Sequence, residues 1–123
     1  MSTILIVEDD IDIREALSEV LNDEGYQVAV AGHGREALDM IGAGLRPSLI
    51  LLDLMMPVMN GWQFAEEFQS RYGDLHTPII ALSADANIEA KALGLGAKSF
   101  LKKPVLIEDL LKAIVALYPK EKG

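Results

Sequence analysis

Short apolar runs at residues 4–7, 28–30, 49–52, 79–82 and 99–101 alternate with segments whose apolar residues recur at helical spacing. Ile13, Ala16, Leu17, Val20 and Leu21 mark one helical face, and Ile107, Leu110, Leu111, Ile114, Leu117 and Tyr118 mark another. Shorter versions occur at Ala37, Leu38 and Ile41, at Phe64, Ala65 and Phe68, and at Ile88, Ala92 and Leu93. Five strands alternating with five helices predict an α/β fold, a doubly wound parallel sheet with helices on both faces. Asn60-Gly61 has no alternating strand after it, so it is expected to open the third helix rather than a hairpin.

Composition narrows the picture. A chain of 123 residues, half of them hydrophobic, fits one compact domain over 1–123 without disulfide staples. It has no cysteine, which excludes disulfides, thiolate metal sites and a cysteine nucleophile. The apolar runs are too short to span a bilayer, and residues 1–3 lead into a strand without a basic signal-peptide region. A cytoplasmic location is therefore expected, without membrane association. The net charge of −8 argues against direct nucleic-acid binding, which needs Lys and Arg against the phosphates.

Candidate chemistry gathers where the strands end. In open parallel sheets, sites form beyond the carboxyl ends of the strands. Strand one ends in Glu8-Asp9-Asp10, strand three in Asp53, strand four in Ser83, and strand five in Lys102-Lys103-Pro104. Strand two ends in Ala31-Gly32 and offers no such group, as expected of an edge strand. Two carboxylates about 4 Å apart repel by roughly 4 kcal/mol at an effective dielectric near 20. A divalent cation removes that penalty and an ammonium reduces it. Mg²⁺ suits such a set of oxygen donors, and Mn²⁺ accepts the same ligands. Asp10 is expected to cap the helix that starts at Ile11. An aspartate can form an acyl phosphate, and phosphoryl transfer needs a carboxylate, a metal, a cation and a hydroxyl. Asp53, Mg²⁺, Lys103 and Ser83 supply that set. Strand alternation lets only one of Lys102 and Lys103 face the crevice. His33 and His76 fall in loop-like segments without paired ligands and read as surface residues. A Mg²⁺-dependent phosphatase or nuclease would want a second acid two residues after the nucleophile, where Met55 stands.

The segments Ile4-Leu5-Ile6-Val7-Glu8-Asp9-Asp10, Leu52-Asp53-Leu54-Met55-Met56-Pro57 with Asn60-Gly61, Ala81-Leu82-Ser83-Ala84 and Phe100-Leu101-Lys102-Lys103-Pro104 together resemble a response-regulator receiver domain of two-component signalling. The resemblance runs from Ile4 to about Tyr118. It implies a CheY-like, flavodoxin-like sheet of strand order 2-1-3-4-5. It implies that Asp53 accepts a phosphoryl group and that Asp9, Asp53 and the Met55 backbone carbonyl bind Mg²⁺, with Glu8 acting largely through water. It makes Ser83 and Phe100 the switch residues and Lys103 the partner of the phosphoryl oxygens, with a cis Lys103–Pro104 bond. The implied donor is a histidine kinase or a histidine phosphotransfer protein. The implied output is an effector protein that reads the face formed by the fourth helix, fifth strand and fifth helix. Such a chain is a signalling switch that assists its own phosphotransfer, not a turnover enzyme. One transcription-factor subclass carries acids where Lys98-Ser99 stand here, acids that help that face dimerise, so an unphosphorylated monomer is expected.

Overall fold

The computed structural model describes residues 3–56, 58–84 and 94–117. Five strands form one parallel sheet: β1 (Thr3–Val7), β2 (Gln27–Ala31), β3 (Leu49–Asp53), β4 (Ile79–Ser83) and β5 (Ser99–Lys102), ordered β2-β1-β3-β4-β5. Between them run α1 (Ile11–Asp23), α2 (Gly34–Gly42) and α3 (Gly61–Tyr72), and a C-terminal helix (Ile107–Leu117) closes the described chain. The fourth predicted helix, marked by Ile88, Ala92 and Leu93, lies outside the described residues.

The unbroken apolar runs of β1, β3 and β4 follow from burial on both faces. Leu5, Val7, Ile50, Leu52, Ile79 and Ala81 point toward α2 and α3, where Leu38, Ile41, Phe64 and Phe68 meet them. Ile4, Ile6, Leu49, Leu51, Ile80 and Leu82 belong to the other cluster, with Leu17 and Leu21 of α1 and Leu110 and Ile114 of the C-terminal helix. Every residue of β3 and β4 is buried, whereas the edge strands β2 and β5 are partly exposed. This is the doubly wound α/β sheet expected from the pattern, with the expected strand order.

Helix starts carry their own local signals. Asp10 caps α1, its Oδ1 accepting from the Ile13 N–H at 3.1 Å. Asn60 opens α3 with a reciprocal capping box: its side chain accepts from the Gln63 N–H, and the Gln63 side chain accepts from the Asn60 N–H. His33, read from sequence as a surface residue in a loop-like segment, is partly exposed just before α2 and also caps it, its Nδ1 accepting from the Glu36 N–H at 3.2 Å. Histidine is not a common cap, so nothing in the local pattern signals this role. His76 is exposed, at the end of a short 3₁₀ turn spanning Gly73–Leu75.

Candidate functional site

Strand register assembles the site. Val7 pairs with Leu52, so Glu8 and Asp53, each one residue further, emerge side by side. Asp53 pairs with Leu82, placing Ser83 at the next strand end, and Ser83 pairs with Lys102, which puts Lys103 just past the end of β5. Backbone bonds continue the ladder at this edge, from Glu8 N–H to Ala31 O at 3.0 Å, Leu54 N–H to Leu82 O at 3.0 Å, and Lys103 N–H to Ser83 O at 2.9 Å.

Charge then meets charge in a dry place. Glu8 is fully buried, Asp53 is 2% exposed and Ser83 1% exposed, and these three are the buried polar residues among those described. The Lys103 ammonium sits between the acids, 2.8 Å from Glu8 Oε1 and 3.2 Å from Asp53 Oδ2. Lys102, one residue earlier, is exposed, as strand alternation requires. Asp9 is exposed at the rim, and carboxylate oxygens of Glu8, Asp9 and Asp53 lie within 4.8 Å of one another. One ammonium thus pairs with two of a cluster of three carboxylates.

Burial pushes the Glu8 carboxyl up from its ordinary value of 4.5 to about 8, and the hydrogen bond and charge of Asp53 push the same way while Lys103 pulls against them. Burial alone would lower the Lys103 ammonium, but the hydrogen bond to Glu8 and the charges of Asp53 and Glu8 outweigh it and hold it above 10.5. The ammonium stays charged, and the surplus of negative charge around it adds to burial in holding the Glu8 carboxyl above its ordinary range. A donor set of buried and rim carboxylate oxygens with surplus negative charge fits a hard divalent cation such as Mg²⁺.

The loop after Asp53 is shaped around it. The Met55 N–H donates to Asp53 Oδ1 at 3.0 Å, fixing the carboxylate's orientation. Gly61 returns the chain so closely that a Cβ there would stand 2.7 Å from Leu54 Cα and 2.8 Å from the Asp53 carbonyl oxygen. Val58, in the same loop, holds φ at +66, a left-handed conformation that β-branched residues rarely adopt. At the start of α2 the Gly34 N–H donates to Met59 O at 3.3 Å, and a Cβ on Gly34 would collide with the Met59 side chain at 2.8 Å.

Of the residues expected from sequence, Glu8, Asp9, Asp53 and Lys103 come together at one hollow, and Ser83 ends the adjoining strand. Met55 is in the same loop as Asp53 with its side chain 65% exposed, and Phe100 is 36% exposed on β5. The Lys103–Pro104 peptide is cis. Glu8 makes a direct ion pair with Lys103, a contact that the expected water-mediated role did not include. Sequence reasoning also missed Arg14, whose Nη1 donates to the Glu8 carbonyl oxygen at 3.0 Å and braces the end of β1 from α1. A basic residue one turn into a helix gives no signal of that contact.

Comparison with known proteins bears on the whole chain. A family model described as the response regulator receiver domain matches residues 4–115. A protein named response regulator MprA from Mycolicibacterium vanbaalenii is 40% identical over 116 residues, covering 93% of this chain and 49% of its own. Its namesake in Mycobacterium avium is 40% identical over 121 residues, covering 97% and 52%. The chain spans about half the length of the curated relatives it matches. Among solved structures, the Vibrio cholerae chemotaxis protein CheY4 superposes with a TM-score of 0.86 at 36% identity, covering 95% of this chain and 98% of that one. The receiver domain of sensor histidine kinase PA1611 from Pseudomonas aeruginosa, solved with a magnesium ion coordinated in its active-site cleft, gives a TM-score of 0.84 at 27% identity, covering 94% and 96%.

Proposed function

The chain belongs to the response regulator receiver family, and from that premise we propose that Asp53 is its phosphoryl acceptor. It is a receiver domain of two-component signalling, a signalling switch in its class. The observation that carries the assignment to Asp53 is the Lys103 ammonium, 3.2 Å from the Asp53 carboxylate and 2.8 Å from Glu8.

An oxygen of Asp53 attacks the phosphorus of a phosphohistidine on a histidine kinase or phosphotransfer protein. The P–N bond breaks, the imidazole leaves, and an acyl phosphate remains on Asp53. The Met55 N–H bond to Oδ1 orients the carboxylate for that attack. Glu8, Asp9, Asp53 and the Met55 backbone carbonyl would hold Mg²⁺, or Mn²⁺ in its stead. The ion supplies neutralisation of the charge gathered between acceptor and donor when bound. Lys103 keeps its charge and is placed to pair with phosphoryl oxygens. Ser83, buried at the adjoining strand end, supplies a hydroxyl to the new group, and Phe100 turns inward behind it. The face of β5 and the C-terminal helix is then read by a downstream effector protein, the fourth helix expected beside them lying outside the described residues.

The chain acts as one receiver unit over 1–123, cytoplasmic and monomeric until phosphorylated, with neither nucleic acid nor membrane as a direct partner. Among the described residues, no helix is long and apolar enough to cross a membrane. Incubation with acetyl phosphate and Mg²⁺ tests the reading. One phosphoryl group should be added and should map to Asp53 by mass spectrometry. Equal labelling of Asp53→Asn would refute the assignment.

A further inference from the structure

The loop that orients Asp53 carries three of the chain's five methionines, at 55, 56 and 59, and they differ sharply in access. Met56 and Met59 are each 9% exposed and packed in the core cluster with Phe64 and Leu52. Met59 is further held against Gly34. Met55 is 65% exposed, while its backbone N–H holds Asp53 Oδ1 at 3.0 Å. A soft, oxidisable thioether therefore stands in solvent two residues from the acceptor carboxylate, on the residue that fixes that carboxylate's orientation.

We propose that Met55 is a methionine-oxidation site through which peroxide shortens the lifetime of the phosphoryl group on Asp53. The inference rests on the reading of Asp53 as acceptor. The sulfur lone pair attacks one oxygen of hydrogen peroxide, the O–O bond breaks, an S–O bond forms, and water leaves. Sulfur is oxidised by two electrons and the peroxide reduced by two. Exposure sets the order of attack: the thioethers of Met56 and Met59 are shielded by packing, and that of Met55 is open. The product is a methionine sulfoxide, which replaces an apolar side chain by a polar one with a strong acceptor oxygen. An acyl phosphate is lost by attack of water. An apolar thioether holds water poorly, whereas a sulfoxide holds it by hydrogen bonding. Oxidation at this position thus puts a water-binding group on the residue whose backbone N–H holds the Asp53 carboxylate. Because methionine sulfoxide is reducible, the effect is reversible by the sulfoxide-reductase class of enzyme.

The test uses the whole chain, untreated or exposed to hydrogen peroxide and then freed of it. Peptide mass spectrometry times the oxidation of each methionine, and decay of the acetyl-phosphate-derived label on Asp53 gives the lifetime. Met55 should oxidise ahead of Met56 and Met59, and the label's half-life should fall several-fold. In Met55→Leu, compared only with its own untreated sample, peroxide should leave the half-life unchanged. Reduction of the oxidised protein by a methionine sulfoxide reductase should restore the original half-life. Three results would each overturn the inference: Met56 or Met59 oxidising as fast as Met55, an unaltered or lengthened half-life, or the same shortening in Met55→Leu. Absence of label from untreated protein would instead strike the acceptor assignment, and the order of oxidation would still judge the site.

Discussion

Along β3, four residues and the fifth obey opposite rules. Leu49 to Leu52 are fully buried among apolar neighbours on both faces of the sheet, and Asp53, one residue on, is almost as buried among charges. The apolar stretch gains free energy from leaving water, roughly 25 cal/mol for each Å² of apolar surface. The carboxylate loses its hydration and recovers only part of that loss from Lys103, which Glu8 shares. Beneath the sheet the same contrast holds. Phe64 and Phe68 stack with ring centroids 5.8 Å apart, and Tyr72 continues the row 5.9 Å beyond Phe68. Arg46 closes it, 5.6 Å from the Tyr72 ring centre, while its guanidinium also bonds the Ile41 and Leu45 carbonyls. The body of the domain holds the fold, and the carboxyl edge holds uncompensated charge that a cation or a phosphoryl group can use. The two should therefore fail separately when mutated.

The largest expected effect comes from the body. Phe68→Ala should cost about 3–5 kcal/mol in urea unfolding. Whatever fraction remains folded should still take label on Asp53, because no site residue touches the deleted ring's cluster through charge. A Phe68→Ala protein that stays stable but loses labelling would break the separation. Gly61→Ala is the deliberate exception. Its methyl would press on the Leu54 backbone and the Asp53 carbonyl, so a loss of about 1–3 kcal/mol and a drop in labelling should appear together. Wild-type stability combined with normal labelling would show that the loop relaxes without disturbing Asp53.

The most gradual effect is a pH slope. Glu8 titrates near 8 in the folded chain and near 4.5 when ordinary, so between those values the folded chain holds a proton that the unfolded chain has released. Its contribution to stability is complete below about 4.5 and is lost as pH rises through about 8. Urea midpoints in the absence of divalent cations should fall over that window, and Glu8→Gln should flatten the fall. A slope that survives Glu8→Gln would place the proton elsewhere in the cluster.

Much of this was legible in the residues. The switch from unbroken apolar runs to helical spacing gives the parallel sheet, and Glu8, Asp9, Asp53, Ser83 and Lys103 stand out because polar groups end apolar strands. What is not legible depends on distant backbone. Arg14 reaches the Glu8 carbonyl only because α1 folds back over β1, and His33 caps α2 with a side chain seldom used there. The direct Glu8–Lys103 pair joins residues 95 positions apart and follows from the register between sheet strands, which hydrophobic pattern alone does not fix. Gly61 is expected from sequence only to open a helix, whereas it also admits the Asp53 backbone at close range, as Gly34 admits Met59.

The carboxyl edge carries more negative charge than Lys103 can balance. Urea unfolding of wild type and Asp53→Asn, each with and without Mg²⁺, measures it directly. Without Mg²⁺ the Asp53→Asn protein should be the more stable, since it leaves Glu8 matched to Lys103. Added Mg²⁺ should raise the stability of the wild type and have a much smaller effect on Asp53→Asn. Lower stability of Asp53→Asn without Mg²⁺, or equal stabilisation of both proteins by the ion, would contradict the account.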